Sequence, residues 1–189
     1  MQKEFIRKLV DLLEQKTATY AITGSIASNH WGVPRFTHDL DVLVVLNLDQ
    51  ACAIAASFTT DPYYASEEAA KDAVRTRSMF NLVDTSTTFK ADLWVSSGDA
   101  FSQSMLSRRR RVGIISGLEA YLGSPEDVLL HKLVWNKITP SERQLGDAAG
   151  IVAVQAGNLD LDYLRTWAAQ QGTADVLEEA LEGKYLKET

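Results

Sequence analysis

The amino-acid sequence predicts an α/β fold of the α+β type, with a small mixed sheet flanked by helices and then a C-terminal helical bundle. Short apolar segments alternate with helical patterns as far as Gly123, and only helical patterns follow it. The chain has 189 residues, and 46% of them are hydrophobic, which suffices for a compact core with an appendage. We therefore expect a core over residues 1–123 and a helical subdomain packed on it over residues 124–189.

The predicted elements of the core follow from apolar spacing and from helix-cap, glycine and proline signals. The continuous apolar run at 42–46 favours a central strand that is covered on both faces. In chain order, we expect a helix at 2–16, strands at 19–23 and 39–46 separated by a helix at 25–31, helices at 47–58 and 66–75, strands at 79–84 and 88–95, a helix near 99–106 and a strand near 112–115.

The predicted C-terminal bundle begins at Ser124-Pro125, where serine suits the N-cap and proline suits the first helical position. The first of its helices should end near Ile138. Pro140 separates it from a second helix over residues 141–155. Two further helices are expected to begin at Asp160 and Thr173.

The overall charge argues against broad binding to DNA, because the formal net charge is −6 and the sequence pI is about 5.1. The one dense basic run, Arg108–Arg111, is interpreted either as a solvated turn or as a contact to an RNA backbone.

The sequence has no apolar signal core at its start and no bilayer-spanning segment, so we expect a cytoplasmic protein without membrane contact. The three histidines lack metal-ligand spacing, and the four tryptophans are expected in the core.

Asp39 and Asp41 are the first candidate catalytic residues. Alternate residues of a strand point to the same face, with Cβ atoms about 6–7 Å apart. Two such carboxylates repel each other, and Mg²⁺ is a suitable compensating charge because it binds one or two carboxylates together with substrate phosphates. Asp92, in the strand at 88–95, supplies a third carboxylate if that strand pairs beside Asp39. Three acids and two metal ions suit in-line nucleotidyl displacement.

Gly24-Ser25 is the second candidate feature, because it stands between a predicted strand and a predicted helix. A helix N-terminus presents backbone N–H groups that attract phosphate. Glycine allows a phosphate to approach the backbone closely, and the Ser25 hydroxyl adds a hydrogen-bond donor. This position therefore predicts a phosphate-binding site.

Together these motifs resemble the signature of the polymerase-beta-like nucleotidyltransferase superfamily. That signature joins Gly24-Ser25, Gly32, Arg35, Thr37 and the triplet Asp39-Leu40-Asp41 to a later acid, here Asp92. Four residues of the C-terminal half are similar to the helical motif of AbiEii-type nucleotidyltransferases, many of which are toxins of toxin–antitoxin pairs. These residues are Glu126, Lys132, Arg143 and Asp147.

The resemblance implies a nucleotidyltransferase fold and transfer of a nucleoside monophosphate from an NTP to an acceptor, with one or two Mg²⁺ ions as cofactor. The acceptor could be a tRNA, a protein or a small molecule such as an aminoglycoside, and a cognate antitoxin is a further implied partner. The residues implied for catalysis and metal binding are Asp39, Asp41 and Asp92, and those for nucleotide binding are Gly24, Ser25, Arg35, Thr37, Lys132 and Asp147.

Several alternatives remain open from the sequence. Arg35 and Thr37 either contact the nucleotide or brace their loop. Lys132 is either a phosphate ligand or a solvated lysine, and Asp147 either orients Lys132 or pairs with Arg143 at helical spacing. The competing hypothesis for the whole chain is a catalytically silent module of the same fold that binds a nucleotide or a partner.

Overall fold

The computed structural model describes residues 2–186. Contacts between these residues group them into two units that interleave along the chain. The first unit contains Thr37–Leu122 together with the described residues through Thr23. The second contains Gly24–Phe36 together with the described residues from Gly123 onward. The sequence had placed residues 24–36 with the first group, in a core ending at residue 123.

The first unit is built on a seven-stranded mixed sheet with the order β3-β4-β5-β2-β1-β7-β6. The pairs β2–β5 and β1–β7 are parallel, and the remaining neighbours are antiparallel. The strands are β1 (Thr19–Thr23), β2 (Asp39–Val45), β3 (Tyr63–Ala65), β4 (Met79–Asp84), β5 (Phe89–Val95), β6 (Arg110–Ile115) and β7 (Leu118–Leu122).

Strand β2 is central, as its apolar run predicts, but its two faces differ in burial. Leu40, Val42 and Val44 have no exposed surface, whereas Val45 is 43% exposed. The face that carries Asp39, Asp41 and Leu43 is only half-buried. The expectation that both faces are covered is therefore wrong, because the run of apolar residues does not report the polar character that Asp39 and Asp41 give to one face.

The four helices described in the first unit surround this sheet and share an apolar core with it. The inner face of the first helix places Phe5 in edge contact with Phe58 and Phe89, with ring centroids 5.1 and 5.5 Å apart. Asn47 and Gln50 form a capping box at the start of the helix Leu48–Ala56, and this capping box fixes where that helix begins. These helices are α1 (Gln2–Gln15), α3 (Leu48–Ala56), α4 (Glu67–Thr76) and α5 (Ala100–Arg108).

The second unit is helical among its described residues. Its central helix begins with Ser124 at the N-cap and Pro125 at the first position, as predicted, and buries Val128, Leu129 and Leu133. This helix contacts all the others of the unit. The helices are α2 (Gly24–Trp31), α6 (Pro125–Ile138), α7 (Glu142–Val154), α8 (Leu161–Gln171) and α9 (Ala174–Leu181). No described helix is both long and apolar enough to cross a membrane.

Candidate active site

The carboxylates of the first unit lie side by side on the two central strands. Strands β2 and β5 are parallel, with Asp41 paired to Asp92 and Asp39 paired to Lys90. Paired residues of neighbouring strands point to the same face, with backbones about 4.8 Å apart. The expected pairing of the Asp92 strand beside Asp39 is therefore present, and three carboxylates share one face of the sheet.

Each of two carboxylates already has a partner on β5. Lys90 Nζ lies 2.7 Å from Asp92 Oδ2, and the indole N–H of Trp94 donates to Asp41 Oδ1 at 3.4 Å. The other oxygen of Asp92, Oδ1, is buried and has no hydrogen-bond partner among the described residues. A buried acceptor without a partner costs free energy, so this oxygen is suited to a cation or a proton donor.

Within residues 2–186, no group of three or more His, Cys, Asp or Glu side chains is placed to hold a metal ion. Thr37, predicted to bind nucleotide, forms local bonds: its hydroxyl accepts from the backbone N–H of Asp39 at 3.3 Å and donates to the Asp39 carbonyl at 3.4 Å. This contact supports the interpretation that Thr37 braces the segment leading into β2.

The predicted phosphate-binding residues belong to the second unit. Gly24 begins α2 directly after β1, and its φ is 61°. This left-handed conformation is strained for a residue with a side chain, so the position favours glycine. Ser25 follows in the first turn of α2, where backbone N–H groups lack partners within the helix.

Ser25 is tied to a buried ion-pair network formed by Arg35, Lys132 and Asp147. Arg35 Nη2 donates to Ser25 Oγ at 2.7 Å, and its Nε and Nη2 bind the two oxygens of Asp147 at 2.7 Å each. Lys132 Nζ lies 2.7 Å from Asp147 Oδ2. The side chains of Lys132 and Asp147 are each 5% exposed, whereas that of Arg35 is 28% exposed.

The side chains of Arg35 and Lys132 bring two positive charges to the one carboxylate of Asp147. Burial by itself would raise the pKa of Asp147, but the hydrogen bonds from Arg35 and the charge of Lys132 outweigh it and hold that pKa below its usual value. The ionised carboxylate therefore faces two cations. The alternative that Asp147 pairs with Arg143 is wrong, since the Arg143 side chain is exposed and the ion-pair partners of Asp147 are Arg35 and Lys132.

The other sequence interpretations have mixed outcomes. Arg108–Arg111 is not a turn but joins the end of α5 to β6, and the guanidinium groups of Arg109 and Arg111 lie 4.8 and 5.6 Å from the centre of the Tyr121 ring.

Of the four tryptophans only Trp31 is buried; the other three lie nearer the surface. Two of these place their indole N–H against a polar side chain, Trp94 against Asp41 and Trp135 against His131.

Two residues of these groups were absent from the sequence prediction. Lys90 stands two residues before Asp92 on a strand, and that spacing alone places both side chains on one face. Ser28, one helical turn after Ser25, lies with its hydroxyl 3.4 Å from Asp147 Oδ2. The spacing of Lys90 could have identified it, but no local signal links Ser28 to a residue more than a hundred positions away.

No protein-family model and no curated protein matches the sequence. In structure, the chain is similar to the antibiotic-resistance factor ANT(2'')-Ia, with 12% identity and a TM-score of 0.52 over 97% of this chain and 90% of that one. It is also similar to an antigenic nucleotidyltransferase-like protein from Paracoccidioides brasiliensis, with 18% identity and a TM-score of 0.52 over 93% and 89% of the two chains. The chain therefore has a nucleotidyltransferase fold.

Proposed function

We propose that this chain transfers a nucleoside monophosphate from an NTP to an acceptor hydroxyl. The pairing of Asp41 with Asp92 on adjacent central strands, with Asp39 on the same face, carries the proposal. Three carboxylates and the Lys90 ammonium give this face a formal charge of −2, which suits a divalent cation. The Arg35 guanidinium bound to Ser25 and the Lys132 ammonium in the same network suit the phosphates.

The residues fit Mg²⁺ by the chemistry of their donor atoms and by the buried, unpartnered Oδ1 of Asp92. Asp39, Asp41 and Asp92 would hold the ion. When bound, Mg²⁺ would neutralise charge that develops on the attacking and leaving oxygens. Since the described carboxylates do not form a preformed three-ligand group, their side chains would have to reorient on binding.

The chain's own residues supply orientation and a proton acceptor. In the transfer, the acceptor oxygen bonds to the α-phosphorus as the bond from that phosphorus to the oxygen bridging the β-phosphate breaks, and pyrophosphate leaves. The hydroxyl proton passes to the Asp92 carboxylate. Gly24 and Ser25 would bind the triphosphate, while Arg35 and Asp147 fix the Ser25 hydroxyl and Lys132 contributes positive charge.

The test is label transfer from each α-³²P-labelled NTP, with Mg²⁺, to a panel of tRNA, lysate protein and aminoglycoside acceptors. We expect a labelled product whose formation falls at least about 100-fold in Asp41→Asn, because transition-state charge is then poorly neutralised. Asp49→Asn, at an exposed position of α3, is the matched control and should retain activity. γ-Labelled NTP should label no acceptor, because the γ-phosphate leaves with pyrophosphate.

The proposal fails if no acceptor is labelled by any α-labelled NTP, or if Asp41→Asn labels as well as the unmodified chain. Nucleotide binding without transfer would instead identify a catalytically silent module. The choice of aminoglycosides as one class of acceptor is supported by the structural similarity to an antibiotic-resistance factor.

We also propose membership of the AbiEii-type branch, supported by the Lys132–Asp147 ion pair. The other two residues of that motif are not part of this contact: Arg143 is exposed, and Glu126 Oε1 accepts the backbone N–H of Asp160. A toxin role predicts growth arrest on expression that Asp41→Asn abolishes and that a cognate antitoxin relieves. Normal growth at the same expression level would contradict it.

A further inference from the structure

Lys90 lies among the carboxylates that we propose as metal ligands. It is paired in register with Asp39, and its Nζ is 2.7 Å from Asp92 Oδ2. The lysine is therefore a cation directed at an acidic face.

The two ends of this ion pair differ in their freedom to move. The Asp92 side chain is 9% exposed and has one oxygen without a partner, whereas the Lys90 side chain is 40% exposed. Lysine carries its charge on a flexible four-carbon stem. The ammonium can therefore leave Asp92 for solvent, while the carboxylate is held by its strand.

We propose that Lys90 is the counter-cation of the carboxylate face when no metal is bound, and that metal binding displaces its ammonium from Asp92. The inference rests on the proposed function, which requires Asp92 to bind the metal. Two cations at one carboxylate repel each other, so the metal and the ammonium compete for Asp92. Lys90 is thus a positioning residue that holds the orientation of the Asp92 carboxylate until the metal arrives.

The competition predicts a gain in metal affinity when the ammonium is removed. Lys90→Met retains most of the apolar stem and deletes the charge. Since a partly exposed ion pair contributes up to about 1 kcal/mol, the dissociation constant for metal should fall about fivefold. Lys90→Arg retains the charge and should restore an affinity close to that of the unmodified chain.

The probe is Mn²⁺, which prefers the same carboxylate ligands as Mg²⁺ and whose free ion is quantified by electron paramagnetic resonance. The full chain, Lys90→Met and Lys90→Arg are titrated without nucleotide. Lys71→Met is the matched control, because Lys71 forms a 2.9 Å pair with Glu67 within α4. Its Mn²⁺ affinity should be unchanged.

Equal or weaker Mn²⁺ binding by Lys90→Met, with clear binding by the unmodified chain, overturns the role of Lys90 and leaves the proposed function standing. If none of the folded variants binds Mn²⁺, both the role of Lys90 and the proposed function are overturned. A second readout uses the unmodified chain alone: acylation of the Lys90 amine, followed by mass spectrometry, should increase severalfold on addition of Mn²⁺, relative to Lys71. Unchanged acylation contradicts displacement even if Lys90→Met fails to fold.

Discussion

At the scale of single residues, Asp147 is a buried acid of the second unit with two cationic partners. Its carboxylate, with a side chain only 5% exposed, receives two bonds from Arg35 and one from Lys132. Asp147→Asn keeps the shape but removes the buried carboxylate charge that Arg35 and Lys132 contact. We expect the free energy of unfolding, measured with urea, to fall by about 3 kcal/mol.

An exposed ion pair provides the comparison for Asp147. Arg165 and Glu178 form a two-bond pair of 2.8 and 3.1 Å with both side chains about half-exposed. Glu178→Gln should reduce the free energy of unfolding by less than about 1 kcal/mol, because solvent screens the pair. If Asp147→Asn cost no more than Glu178→Gln, the buried network would not have the energetic role assigned to it.

His131 makes the stability depend on pH. Burial, and to a lesser extent the charge of Lys132, lowers the pKa of His131 to about 4, and its Nε2 accepts the Trp135 indole N–H at 3.1 Å. In the unfolded chain, the imidazole of His131 binds a proton with the ordinary histidine pKa of about 6.5. Between these two values the unfolded chain holds more protons than the native chain, so stability is complete above about pH 6.5 and falls as the pH drops towards 4.

The check is the free energy of unfolding at pH 7.5 and pH 5. The unmodified chain should lose more stability over this interval than His131→Gln, whose side chain does not titrate. An identical pH dependence in His131→Gln and the unmodified chain would exclude this contribution.

At the scale of elements, helices α2 and α7 approach closely where Gly32 follows α2. A Cβ at Gly32 would lie 2.8 Å from the backbone nitrogen of Ile151 and 2.9 Å from the carbonyl carbon of Gly150. Backbone atoms of a buried helix cannot move aside cheaply. We expect Gly32→Ala to lower the free energy of unfolding by about 1–3 kcal/mol in urea titrations.

Gly146 is the matched control, since it lies in α7 and a Cβ there would meet nothing within 4 Å. Gly146→Ala should be neutral or stabilising by up to about 1 kcal/mol, because alanine loses less conformational freedom in a helix. A Gly32→Ala variant as stable as Gly146→Ala would show that the two helices are not in close contact.

Local patterns predict most elements but miss two strands. Strands β1 and β4 and helix α6 have the predicted bounds; burial alternates along β4, and Ser124 and Pro125 mark the start of α6. Strand β3 has only three residues, too few for a period to be read. In β7, buried Leu118, Ala120 and Leu122 alternate with more exposed residues, so the signal is present but only five residues long. Both strands owe their structure to pairing with neighbours.

At the scale of the whole molecule, the sequence predicts which candidate residues come together better than it predicts which distant segments contact them. Asp39, Asp41 and Asp92 share a face as strand spacing predicts, and Lys132 contacts Asp147. The contact between Arg35 and Asp147, and the grouping of residues 24–36 with the C-terminal helices, join segments far apart in sequence. No local pattern encodes such contacts.

The central claim is that Asp39, Asp41 and Asp92 of the first unit bind the metal ion that nucleotidyl transfer uses. The most direct test is a crystal structure of the full chain with Mn²⁺ and a non-hydrolysable NTP analogue, using anomalous scattering to locate the metal. The account predicts metal bound by Asp39, Asp41 and Asp92, and a triphosphate on the backbone of Gly24 and Ser25. A bound analogue whose triphosphate lies away from Gly24-Ser25, or whose metal contacts none of the three carboxylates, would contradict it.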